Sequence, residues 1–172
     1  MSIVPALAHA FAPWQSLYSN SKPVETAVNA THLVAVLFGG GFAVSADRAT
    51  LRAAAQDPGA RQRLLGELSA VHRPVLMALG VLFVSGVAQA TADVDTFAKS
   101  PAFAAKLLLV FLLLANGFVL ARTEMKLRAA PAAGTEEPRV DRLWRRLRTT
   151  ARLSLLLWTV TVVAGTVLVN AA

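Results

Sequence analysis

A few polar side chains in a very apolar sequence are the ones that could do chemistry: three histidines (His9, His32, His72), Lys106 and Gln89. His32 shares one side of a helix with Ala35, Gly39 and Ala43, because offsets of three, seven and eleven return to the same face. An imidazole with a glycine two turns away offers a nitrogen ligand beside bare backbone, which suits a flat cofactor. Lys106 is the one charge in the apolar run from Pro101 to Ala121. There it can pair with Glu25, hold a haem propionate or donate to a quinone oxygen. Asn29, Ser85, Gln89 and Thr166 are expected at a similar depth. These residues make His32, Lys106, Gly39 and Gln89 the candidate cofactor-binding set, with His32 and His72 as candidate metal ligands at separate sites and His72 also a candidate cofactor contact.

The separation of the two histidines follows from helix rise. Counted from a common inner boundary, they stand roughly 20 Å apart in height. The axial nitrogens of one haem lie ~4 Å apart, two metal–nitrogen bonds of ~2 Å each. His32 and His72 therefore cannot clamp one haem within a monomer; a bis-histidine haem needs a symmetric dimer. Asp47, His72, Arg73, Asn116 and Glu124 form a second polar group, read as an ion-pair network at the inner boundary.

The elements that position these residues are membrane spans. Leu107 to Leu114 is apolar on every face, and at ~1.5 Å per residue a helix from Pro101 to Ala121 is about as long as a bilayer's hydrocarbon core is thick. Three more spans are predicted, at about 24–46, 73–92 and 153–170. Pro23 and Glu25 start the first. Ser100-Pro101 reads as an N-cap followed by proline at the first helical position. The short connection Ala92–Ser100 predicts that spans two and three are antiparallel neighbours. Residues 47–72 and 122–152 are expected as cytoplasmic loops, helical in part. Leu143, Trp144 and Leu147 are expected to rest on the membrane surface, with arginines reaching lipid phosphates. Phe11, Trp14 and Tyr18 share a face of a short N-terminal helix expected to lie in the headgroup region.

Composition agrees: 55% of the 172 residues are hydrophobic, and the mean hydropathy is +0.53. Fourteen of the 17 basic residues fall in the two long connections, with seven of the ten acids. The positive-inside rule then puts both connections in the cytoplasm and both termini outside. The whole net charge of +7 sits on that side, so the high isoelectric point reflects topology and not nucleic-acid binding. With no cysteine there is no disulfide framework and no thiolate chemistry. Gly39-Gly40-Gly41 is not followed by a phosphate-binding lysine, and no catalytic triad or HExxH motif is present.

Three stretches carry a family likeness: PVETAVNATHLVAVLFGGG; HRPVLMALGVLFVSG with ADVDTFAKSPAFAAKLLLVFLLLANG; and LSLLLWTVTVVAGTVLVN. In these the chain resembles small bacterial inner-membrane proteins of four helices, distantly similar to the membrane domain of the copper-resistance D type. The resemblance implies a four-helix bundle in a bacterial inner membrane and no particular activity. Copper transport is not expected, since cysteine is absent and the three methionines form no path.

The expected molecule is thus an all-α, four-span membrane protein of one domain, residues 1–172, N-out and C-out. Small-residue faces on spans one and two predict a homo-oligomer or docking to a larger membrane complex. The leading expectation is a non-catalytic accessory, anchor or scaffold subunit of a respiratory or redox complex. The alternative is a redox or metal-handling protein that holds haem b or a quinone near His32 and Lys106.

Overall fold

The computed structural model describes residues 3–53, 58–130 and 138–171. They form six helices and, among the described residues, no strand: α1 (Ile3–Asn20), α2 (Lys22–Ala53), α3 (Pro58–Ala92), α4 (Val94–Lys99), α5 (Pro101–Arg128) and α6 (Pro138–Ala171). The helices α2, α3, α5 and α6 are long and apolar enough to cross a membrane. Local signals act where the residue types require. The Ser100 hydroxyl accepts the Phe103 N–H at 3.3 Å and Pro101 opens α5. Asp93 caps α4 by accepting the Thr96 N–H at 3.1 Å.

Each long helix runs well past its predicted span. Much of 47–72 and 122–152, expected as loops, is helix, because these segments carry their own apolar stripe. Leu64, Leu65 and Leu68 of α3 meet Ala53 of α2, Leu127 of α5, and Trp144 and Leu147 of α6 in a compact core. Trp144 is 5% exposed and Leu147 fully buried. The expectation that these two rest on the membrane surface is therefore corrected: they face protein, and the start of α6 joins a helical extension beyond the apolar spans. Pro74 lies inside α3, which begins sixteen residues earlier.

A second core lies between the apolar spans, where Leu113 of α5 meets Leu157 and Trp158 of α6, with Ala43, Leu82 and Leu109 against them. The closest helix pairs are α2 with α3, α5 with α6, and α2 with α6. Among the described residues α3 and α5 do not pack closely along their lengths. This corrects the expected antiparallel pairing of spans two and three. The intervening α4 holds the two ends apart, packing against α1, while Phe97 of α4 meets Phe103 of α5 at 5.1 Å between ring centroids.

The three adjacent glycines of α2 serve different neighbours. A Cβ at Gly39 would stand 3.0 Å from the Ala78 Cβ of α3, and one at Gly40 3.4 Å from the Trp158 ring of α6. Nothing lies within 4 Å of a Cβ at Gly41. Glycine at 39 and 40 thus lets α2 approach two helices at once, the close backbone packing that small residues permit within membranes.

Candidate functional site

His32 is fixed by α3. Its Nδ1 lies 2.9 Å from the Ser85 Oγ, and its ring edge is 3.5 Å from where a Cβ on Gly86 would be. The Ser85 hydroxyl has one proton and three acceptors in reach: the Val81 carbonyl at 2.7 Å, the Leu82 carbonyl at 3.3 Å and Nδ1 itself. When the proton goes to Val81, Ser85 accepts from the imidazole, Nδ1 carries the hydrogen and Nε2 of the neutral ring is a bare lone pair. Nε2 has no hydrogen-bond partner among the described residues.

Above this pair a polar network closes the outer end of α2 and α3. The Asn29 Oδ1 accepts from Gln89 Nε2 at 2.9 Å and from the Tyr18 hydroxyl at 3.1 Å. Burial, then the nearby Glu25 carboxylate, pushes the Tyr18 phenol above its usual range, so it stays a donor. Trp14 Nε1 donates to the Ala88 carbonyl at 2.9 Å and Gln15 Nε2 to the Thr91 carbonyl at 3.3 Å. The face of α1 that carries Trp14 and Tyr18 is thus turned to α2 and α3, and Phe11 of the predicted aromatic face stays exposed.

Lys106 enters from α5. The end of its side chain is 3.9 Å from where a Cβ on Gly165 of α6 would stand. Lys106 makes no hydrogen bond or salt bridge among the described residues. The expected pairing with Glu25 is not formed: Glu25 takes Lys22 at 2.7 Å on the surface. One turn from Gly165 toward Trp158, the Thr161 hydroxyl is buried and has no hydrogen-bond partner among the described residues.

The structure thus brings His32 and Ser85 together and Asn29 and Gln89 together, and sets the end of Lys106 against Gly165 of α6. Gly39 lies two turns further in, with Ala78 over it. Thr166 is exposed and bonds its own helix at the Val162 carbonyl. The His72 side chain lies outside the described residues. Its backbone stands 13 residues before Ser85 on α3, roughly 20 Å by helix rise, in keeping with a separate location. Sequence reasoning passed over Gly86, Gly165, Thr161 and the bonding role of Tyr18. The Ser85-Gly86 pair was a visible signal for the first of these, since a hydroxyl beside a bare backbone position can receive a histidine.

The inner polar group resolves into separate parts. Asp47 of α2 is 4% exposed, and its Oδ2 is buried without a hydrogen-bond partner among the described residues. Asn116 of α5 donates to the Thr150 carbonyl of α6 at 2.9 Å. Glu124, 1% exposed, is bound by Arg128, which also donates to the Leu65 carbonyl of α3. Arg73 is exposed. No group of three or more His, Cys, Asp or Glu among the described residues could hold a metal ion.

Protein-family models, curated proteins and solved structures were compared with the chain, and none matches it.

Proposed function

We propose that this protein is a multi-pass membrane protein of the bacterial inner membrane that binds a redox-active, membrane-soluble cofactor between His32 and Lys106. The observation that carries this reading is an imidazole anchored by Ser85 and a lysine that makes no hydrogen bond or salt bridge among the described residues, both on helices suited to cross a bilayer. Ionisable side chains in such segments are costly and are retained where they serve a site.

The donor set fits haem b. Nε2 is the ligand-ready nitrogen, and Ser85 supplies the fixed partner on Nδ1 that orients a ligating histidine. Lys106 would meet a propionate. Haem bound here supplies one-electron chemistry; the chain holds the imidazole, neutralises an anionic edge and excludes water. A quinone is the second occupant of the same chemistry, with Lys106 donating to a ring oxygen and Nε2 accepting the proton of the reduced form. The arrangement of basic residues supports an N-out, C-out bundle, with His32 toward the outer leaflet.

The accessory-subunit reading is supported by one surface feature. An apolar groove of about 510 Å³ runs along the outside of α2 and α3, lined by Val34, Phe38, Phe42, Met77 and Val81. It could receive a partner's helix. The small-residue face that motivated docking is largely used inside the chain, Ala35 and Gly39 being buried, so the cofactor reading stands first.

The test is the organic extract of protein purified in mild detergent, assayed for haem and quinone in wild type, His32→Ala and Lys106→Ala. The reading expects one cofactor near unit stoichiometry in wild type and a loss of at least tenfold in both variants. A clean extract, with a larger complex copurifying, would favour the accessory role.

A further inference from the structure

The extension of α6 away from the apolar spans changes which basic residues can meet lipid. Each long helix carries an exposed arginine near the end of its exposed apolar surface: Arg48 on α2, Arg73 on α3, Arg122 on α5, with Met125 exposed one turn beyond it, and Arg152 on α6. The flanking apolar residues are Phe42, Leu76, Phe118 and Leu153, from 41% to 66% exposed. Three close contacts fix the relative heights of the helices: Gly39 on Ala78, Gly40 on Trp158, and Asn116 on Thr150. Counting helix rise from them puts Arg48, Arg73 and Arg152 within roughly 6 Å of one another in height. The Cα of Arg122 lies roughly 9 Å further along, but its guanidinium turns back over the Phe118 ring, 4.4 Å from the centroid. That brings it toward the other three.

Two acids of this zone, Asp47 and Glu124, are buried, and Glu124 is taken by Arg128; the exposed acid, Glu67 of α3, stands roughly 9 Å from Arg73 along the helix. Of the other arginines of α6, Arg148 is one turn, roughly 6 Å, from Arg152, whereas Arg145, Arg142 and Arg139 are roughly 10, 15 and 20 Å beyond it, past the screening length of about 8 Å in physiological salt.

We infer that Arg48, Arg73, Arg122 and Arg152 form a belt that binds the phosphate headgroups of anionic phospholipids around the four helices. A guanidinium holds a phosphate with paired hydrogen bonds, and its stem lies along the apolar surface beside it. The belt selects lipid charge and fixes how deeply the helices sit, whichever way the chain is oriented and whatever the outer site holds.

The experiment is native mass spectrometry of the detergent-purified protein, given equimolar phosphatidylglycerol and phosphatidylcholine of identical acyl chains. Wild type should retain phosphatidylglycerol roughly fivefold over phosphatidylcholine for each arginine in contact. The variant Arg48→Gln, Arg73→Gln, Arg122→Gln, Arg152→Gln should fall to near parity. The control Arg139→Gln, Arg142→Gln, Arg145→Gln should keep the wild-type preference. Equal retention of the two lipids by wild type overturns the inference and needs no variant, so a quadruple variant that fails to fold does not shelter it. An equal loss in the control overturns it too, since charge anywhere on this end would then suffice.

Discussion

Substituting alanine in turn for the three consecutive glycines of α2 should produce a graded series whose order follows from their neighbours. At Gly39 the new methyl would stand 3.0 Å from the Ala78 Cβ, against about 3.5–4.0 Å for an unstrained carbon contact. Both carbons are fixed to helical backbone, so the missing distance must come from moving α2 and α3 apart along their contact. Overpacking of this kind costs about 1–3 kcal/mol, while replacing glycine by alanine in a helix returns roughly 0.5–1 kcal/mol. Gly39→Ala should therefore destabilise by about 1 kcal/mol, within a range of roughly 0–2.5 kcal/mol. At Gly40 the neighbour is the Trp158 ring at 3.4 Å, which has a little room to shift, so the two effects should nearly cancel. Gly41 has nothing within 4 Å, and its alanine variant should gain up to about 1 kcal/mol. The assay is unfolding in mixed micelles by increasing sodium dodecyl sulfate, followed by tryptophan fluorescence. Adding Ala78→Gly to Gly39→Ala should recover part of the loss, a coupling a double-mutant cycle detects. Equal effects at all three glycines, or no coupling to Ala78, would refute the packing argument.

Three other outcomes follow from the same structure. Ser85→Ala removes the acceptor that holds Nδ1 of His32, and cofactor affinity should fall about 10–100-fold with helix content by circular dichroism unchanged. Trp144→Ala should lower unfolding stability by about 3–5 kcal/mol because Trp144 is 5% exposed; a loss under 1 kcal/mol would return it to the membrane surface. Tyr18→Phe deletes one of the ties from α1 to α2 and should cost about 1 kcal/mol, seen as faster hydrogen exchange over Ile3–Asn20.

The four long apolar helices were legible because a run such as Leu107 to Leu114 has no polar side for water, and their starts were marked by proline and capping residues. Their inner extensions were harder to read. The stripe of Val140, Trp144 and Leu147 has the period of an amphipathic helix, but periodicity alone does not say whether such a face meets lipid or protein. The loose approach of α3 and α5 was hidden as well, because a short connection fixes two ends and not the distance between axes. In the site, the shared depth of His32, Ser85 and Lys106 could be counted along the chain. The hydrogen-bond chain from the Val81 carbonyl through Ser85 to His32 could not, since it depends on the rotation of α3 about its own axis. The same rotation set Ala78 against Gly39, and that of α6 turned Thr166 outward.

The central claim is that His32 and Lys106 hold a redox cofactor, and the dithionite-reduced minus oxidised absorption spectrum of the detergent-purified protein tests it most directly. The account predicts a Soret band with sharp reduced bands in wild type, abolished by His32→Ala and weakened by Lys106→Ala, or ultraviolet quinone bands with the same dependence. A featureless spectrum from pure, folded protein, unchanged by either substitution, would contradict it.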